Sequence, residues 1–418
     1  MPHDRPAVRW LILGIATVIA GVFVLRTVLP ATQRNTYAFS VYYTSARLVL
    51  QNEADSRLCS EWFFEKQRAL GLRADTFCGA GPPTMALVLA PVAWLRPDIA
   101  RVVWVAFDLV ILALMSFLAW RIARIYNWLT NEDIGLFVPG AFILVAVFQP
   151  VAAELWAGQI HLFLAALYAI WLYGYVTRHD WICGIALAGL ALAKLAAAPI
   201  WLLMLVTGRG RALLIAGAIM LTVLAVTMPV FTLRFWMIDL QTMFMAASQP
   251  QSAVPAAQTI LSLLRQVFDY NKIWTPRPLV DIPWLVSPLY VMSGATLLAI
   301  TLWLGRKDNG IHAAMAALCI CVPIQPAGEQ YHYALLFTVL LVALVAMRKQ
   351  ENSVFSSICL FVALLLFMLP SYFLRTEVFN TFPISLLAYP RLYGALILWG
   401  ALIKISAERP RLFAPTKS

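Results

Sequence analysis

The sequence predicts an all-α, polytopic membrane protein of about twelve transmembrane helices, and three observations carry that prediction. Of its 418 residues 62% are hydrophobic and only 12% charged, a proportion whose apolar surface no water-soluble packing can hide. Apolar runs recur along the whole chain, separated by short polar loops. The basic residues behind the formal charge of +11 gather in those loops, which is the pattern that orients membrane proteins rather than a nucleic-acid patch. No nucleic-acid partner is expected.

The elements follow in order. Residues 8–29 are long enough to span and lack a convincing small-residue cleavage site, so they read as a signal anchor. A long polar segment, 30–101, comes next and opens with "TYAFSVYYTSARLVL". There Tyr42, Tyr43, Ala46 and Leu50 suit an interfacial helix lying on the membrane, with Ser45 and Arg47 turned elsewhere. The apolar run 85–95 is short and bracketed by Pro82-Pro83 and Pro97, so it is expected to be re-entrant or interfacial. Further runs fall at 102–120, 134–148, 162–176, 182–193, 197–206, 212–231, 284–304, 313–322, 334–347, 354–372 and 386–405.

With Arg5 and Arg9 inside, the basic clusters Arg121/Arg124, Arg178, Arg209/Arg211, Arg306/Lys307, Arg348/Lys349 and 404–417 also fall on the cytoplasmic side. If 85–95 spans instead, the parity of the first half flips and Arg121 and Arg124 move outside, which ranks that topology second. The preferred topology places loops 30–101 and 234–283, the turns 149–159 and 325–333, and the turn at Lys194 on the outer face. These loops are too small for a separate soluble domain, so residues 1–418 read as one membrane domain without an internal repeat.

Of six cysteines, Cys183, Cys319, Cys321 and Cys359 lie inside apolar runs as small packing residues. Cys59 and Cys78 share the long polar segment, where a disulfide and two free thiols are both open. No phosphate-binding loop, dinucleotide fingerprint, zinc-type spacing or nucleophile elbow is present. Direct use of ATP by a familiar loop is thereby excluded. Chemistry on a substrate delivered within the membrane, or transport, remains.

The outer turns hold the residues that could do either. "ELWAGQIHLFL" places Glu154, Gln159 and His161 at the mouth of an apolar run. Lys194, in "LALAKLAAAPI", has no acid within a turn; it is either a lysine snorkelling to the interface or a binder of a lipid phosphate. In "IQPAGEQYHYALL", Glu329 and His332 are three apart, as a helix cap beside an aromatic belt of Tyr331 and Tyr333, or as a carboxylate and imidazole converging on a cavity. Loop 234–283 offers Gln249, Gln251, Gln258 and Arg265; Arg265 suits either a phosphate or the polar side of a surface helix.

The order of these segments resembles a known family. A Tyr-Tyr-x-x-Ala-Arg helix, a Pro-Pro before "LVLAPVAWL", then "GQIHLFL", the lysine of "GIALAGLALAKLAAAP" and a late Tyr-His are similar to the polyprenyl-phosphate-mannose-dependent alpha-1,2-mannosyltransferase-like family of bacterial GT-C glycosyltransferases. The resemblance covers roughly residues 38–345, through individually weak motifs whose order is specific. It implies a GT-C-like fold in the bacterial plasma (inner) membrane with an outward-facing active site. The donor would be a polyprenyl-phosphate-linked sugar and the acceptor a glycan or glycolipid; no organic cofactor is expected, and whether a divalent ion takes part is open.

Carried over residue by residue, Gly158 and Gln159 match the family's Gly-Gln pair, Lys194 its lysine and His332 its late histidine, with Tyr42 on the first-loop helix. His161 stands where Asn or Ser is more usual. The aspartate that many relatives place just before Phe-x-Val-Tyr is Ala38 here, so the base is expected to have moved to Glu154, Glu329 or a loop acid such as Glu61. Two other readings stand beside the transferase: a transporter or flippase of a lipid-linked sugar, and a non-catalytic lipid-glycan-binding subunit.

Overall fold

The computed structural model describes residues 6–33, 36–53, 60–74, 84–194, 197–237, 241, 256–308, 310–349, 354–370, 374 and 376–408. Cys59, Cys78, Asp75, Pro82, Pro83, Gln249 and Gln251, and hence the disulfide question, lie outside them. The described chain is helical throughout, its β-structure confined to three isolated bridges. The helices are α1 (Pro6–Phe23), α2 (Leu29–Gln33), α3 (Tyr37–Leu50), α4 (Glu61–Ala69), α5 (Thr84–Leu89), α6 (Pro97–Ile125), α7 (Ile134–Val147), α8 (Gln149–Ala157) and α9 (His161–Val176). They continue as α10 (Asp180–Ala193), α11 (Ala198–Val206), α12 (Gly210–Thr227), α13 (Ile260–Phe268), α14 (Val286–Asp308), α15 (Ile311–Ile320), α16 (Leu336–Lys349), α17 (Val354–Met368) and α18 (Pro390–Glu408).

Several helices carry their apolar side chains outward. Leu214, Leu221, Val226, Val291 and Phe361 are at least 60% exposed, which is stable only against lipid or another apolar surface. Among the described residues five helical stretches are long and apolar enough to cross a membrane: Trp10–Gln33, Pro97–Ile125, Gly210–Thr227, Pro283–Lys307 and Gln330–Arg348. A sixth counts if the pair Asn131–Val147 and Gln149–Ala157, bent by 60°, is one span. Four shorter apolar helices accompany them. The expected twelve are therefore not twelve uniform rods, because several apolar runs are broken by turn-forming residues. Pro150 starts α8 after an extended Phe148, and Pro199 starts α11 after the extended Lys194.

Packing centres on α6, α9 and α10. Helix α6 lies on α9 and α16, α10 lies on α9 and α12, and α15 and α17 both pack against α18. Close approach of α10 to α12 depends on Gly184, where a Cβ would sit 2.6 Å from Ile215 Cγ2. Small residues at such crossings let helix backbones meet without a hydrophobic drive in lipid.

Two expectations for the polar segments are refined here. Helix α3 is buried on most of its circumference, through Phe39, Ser40, Tyr43, Thr44 and Ala46, where a helix lying on the membrane needs only one buried face. Arg47 donates to the Ala93 carbonyl at 2.8 Å and Tyr43 to the Leu95 carbonyl at 2.6 Å, so α3 is pinned to the run 85–95. That run is the short α5 followed by turns, too short to span, as its prolines suggested.

The loop before α13 is sewn to the rest through Gln258. Its N–H donates to Gly328 O at 2.7 Å and its carbonyl accepts from Tyr333 Oη. Its side chain donates to Ala388 O at 2.7 Å and accepts the N–H of Arg391 at 3.1 Å. Replacing Gln258 by Leu orphans two buried backbone groups and is expected to lower stability by about 1–3 kcal/mol. Thermal unfolding of the purified protein in detergent measures this.

Candidate active site

The site is built on the corner between α8 and α9. Helix α8 ends at Gly158, which takes the left-handed conformation at φ 66° and donates its N–H to Glu154 O at 2.9 Å. The last carbonyls of α8 have no partner within the helix. Arg101 of α6 donates to Leu155 O at 2.5 Å and to Ala31 O at 3.0 Å, while Thr36 Oγ1 donates to Ala157 O at 2.6 Å. The chain then turns back, and the free N–H groups of His161 and Leu162 donate to Glu154 Oε1 at 2.6 and 3.4 Å. Glu154 thus caps the helix that follows its own through its side-chain oxygen. It is fully buried, and its Oε2 faces His161 Nδ1 at 3.6 Å.

From this corner His161 points at Lys194. Its Nε2 is 3.0 Å from Lys194 Nζ, and His332 Nε2 is 2.5 Å from the same nitrogen. The two imidazoles lie against each other with ring centroids 4.0 Å apart. Lys194 reaches this place because α10 stops at Ala193 and the backbone of Lys194 is extended. Thr84 Oγ1 at the start of α5 donates to Leu192 O and holds that helix end. His332 lies in a 3-10 turn, Gln330–Leu335, capped reciprocally. The Glu329 carboxylate accepts the His332 N–H, and the Glu329 N–H donates to His332 Nδ1 at 3.0 Å.

A second chain of contacts runs alongside. Tyr42 Oη donates to Gln159 Oε1 at 2.9 Å, and Gln159 Nε2 donates to Tyr331 Oη at 3.3 Å. The Tyr331 ring stacks on His332 at 4.9 Å and 20°. Of the residues singled out from the sequence, Glu154, Gln159, His161, Lys194, His332 and Tyr42 therefore meet in one constellation, with Glu329 at its rim. Ala38 lies one helical turn before Tyr42, so the two share a face of α3.

Arg265 is elsewhere. It sits half-buried on α13 one turn before Asp269; burial lowers its guanidinium from the ordinary value and Asp269 opposes that shift. Glu61 is exposed on α4 and paired with Arg68 at 2.8 Å. Sequence reasoning missed Tyr331 as a contact of Gln159, having read it as part of an aromatic belt. It also missed Arg101 and Asp108, both buried on α6, although a lone acid inside "VAFDLVIL" is itself a signal. Among the described residues no group of three or more His, Cys, Asp or Glu could hold a metal ion.

Fold and site together define an integral-membrane protein that gathers lysine, histidine and tyrosine side chains at the ends of apolar helices. The chain belongs to glycosyltransferase family 87, whose family model matches residues 80–324, more than half of its length. It is thus a GT-C-like membrane glycosyltransferase. The matched region contains Glu154, Gln159, His161 and Lys194, while α3 lies before it and Glu329 and His332 after it. No curated protein and no solved structure matches the chain.

Proposed function

We propose that the protein moves a hexose, mannose-like, from a polyprenyl-phosphate donor to a lipid or polysaccharide acceptor on the extracytoplasmic side of the bacterial inner membrane. The observation that carries this reading is Lys194 held between His161 and His332 at the C-terminal end of a short apolar helix. Three nitrogen groups converge there with no anion between them, which suits a phosphate delivered from the lipid. The carboxylates of Glu154 and Glu329 each back one of the histidines, and they supply the negative charge that balances a proton taken up by the assembly. Tyr42, Gln159 and Tyr331 offer hydroxyl and amide groups to sugar hydroxyls, and Arg265 serves the loop side of the donor path. In this reading about twelve membrane crossings, several of them by broken helices, bring these helix ends to one side.

In the reaction the acceptor oxygen bonds to the anomeric carbon as the bond from that carbon to the phosphate oxygen breaks. The electron pair stays on the phosphate, and the acceptor hydroxyl gives up one proton. The test is transfer from polyprenyl-phosphate mannose to membrane glycolipids by the purified protein, compared with the double variant Lys194→Ala, Glu154→Gln. The expected result is loss of transfer, by about 100-fold or more. Full activity in the double variant would overturn the site, and flipping of labelled lipid without any transfer would favour a flippase.

A further inference from the structure

We propose that Lys194 rests as a neutral amine and is the group that takes the proton from the acceptor hydroxyl, an assignment that rests on the transferase reading above. It follows from the hydrogen bonds around His332. The Glu329 N–H, which can only donate, points at His332 Nδ1 from 3.0 Å. Nδ1 therefore holds a lone pair, and the neutral ring carries its proton on Nε2. That Nε2–H faces Lys194 Nζ at 2.5 Å. An ammonium has three protons and no lone pair, so this contact closes as a hydrogen bond only if Nζ accepts.

His161 completes the arrangement. Its Nε2 lies 3.0 Å from Nζ and accepts an amine N–H, which leaves its own proton on Nδ1, toward Glu154 Oε2. The titratable groups facing the amine are His161 from α9 and Glu329, Tyr331 and His332 from the 3-10 turn, with Glu154 of α8 behind His161. Both carboxylates are engaged by helix N–H groups, and neither forms an ion pair with Lys194 among the described contacts. A permanently charged lysine at this place would be opposed only by the carboxylates of Glu154 and Glu329 acting through space.

The step balances. The acceptor hydroxyl takes the place of His332 at the amine, and its proton moves to Nζ as its oxygen bonds to the anomeric carbon. The bond from that carbon to the phosphate breaks, turning a phosphodiester monoanion into a phosphomonoester dianion. The new ammonium stands beside that dianion, and the freed His332 Nε2–H donates to it. Lys194 is thus neutral when a base is needed and positive when the leaving group must be held.

Lys194→Arg separates this from a purely electrostatic role. Arginine stays protonated in proteins yet binds phosphate well, so a lysine needed only as a cation tolerates the change. With the full-length protein and polyprenyl-phosphate mannose, the expected result is a kcat lower by about 100-fold, with competitive binding of polyprenyl phosphate retained. The wild-type kcat is expected to rise with pH along an acidic limb to a plateau. A variant kcat within about threefold of wild type overturns the assignment. So does a wild-type kcat that falls as the pH rises over about 6 to 9, as a lysine needed only as a cation requires, which decides the matter if the arginine variant does not fold. A wild-type protein that transfers nothing counts against the transferase reading instead.

Discussion

Gly158→Ala is expected to abolish transfer and to destabilise the protein. The residue closes α8 at φ 66°, a conformation that costs a residue with a side chain about 1–3 kcal/mol. The added Cβ would also stand 2.6 Å from Arg101 Nη1 and 2.9 Å from both Phe39 Cβ and Thr36 Oγ1. Arg101 cannot swing away without releasing the carbonyls of Ala31 and Leu155, and Phe39 Cβ is fixed to α3. The corner must then part from α3, which breaks the Tyr42–Gln159 contact and moves His161 away from Lys194. Gly208→Ala is the control, since Gly208 has φ +74° but nothing within 4 Å of the added carbon. Thermal unfolding and transfer measured on both variants separate backbone strain from steric displacement. Equal behaviour of the two would show that the close contacts at Gly158 do not matter.

The second large effect concerns Glu154, whose two replacements are expected to differ. Glu154→Ala removes the acceptor for the N–H groups of His161 and Leu162 in a fully buried place. The expected cost is about 1–3 kcal/mol of stability, with loss of transfer. Glu154→Gln keeps a carbonyl oxygen that can cap α9, so the fold survives. It puts an amide N–H group where Oε2 faces His161 Nδ1 at 3.6 Å, setting two N–H groups against each other when the imidazole proton is on Nδ1. Near-native unfolding temperature with slowed transfer is expected of it. A Gln variant as unstable as the Ala variant would mean that the charge itself, not the cap, holds the corner.

Glu154 also marks how far the sequence could be read. "ELWAGQIHLFL" announced a carboxylate, an amide and an imidazole at a helix mouth, and all three join the candidate constellation around Lys194. Their division of labour was hidden. Glu154 is seven residues before His161, and the chain reverses through Gly158 to bring the carboxylate onto the backbone of the next helix. Spacing along a single helix cannot show such a return. Lys194 and His332, 138 residues apart, were both selected because a polar group at an apolar boundary is unusual, yet nothing in either stretch named the other as its neighbour. Tyr331 illustrates the opposite failure, because an aromatic residue at this position fits a membrane belt equally well.

Composition, the spacing of apolar runs and the order of their flanking motifs determined the class of this protein, since burying so much apolar surface leaves few architectures open. They also marked the positions where polar groups are costly and so call for a role. The count of uniform spans was beyond that reasoning, because a proline, a glycine or an extended residue breaks an apolar run into short helices without lowering its hydropathy. Only the tertiary structure decided which atoms meet. Hydrogen bonds are directional and short, and the Glu329 N–H that fixes the proton on His332 acts through a distance of 3.0 Å. That contact, and with it the state of Lys194, exists only once α9, α10 and the Gln330–Leu335 turn have packed together.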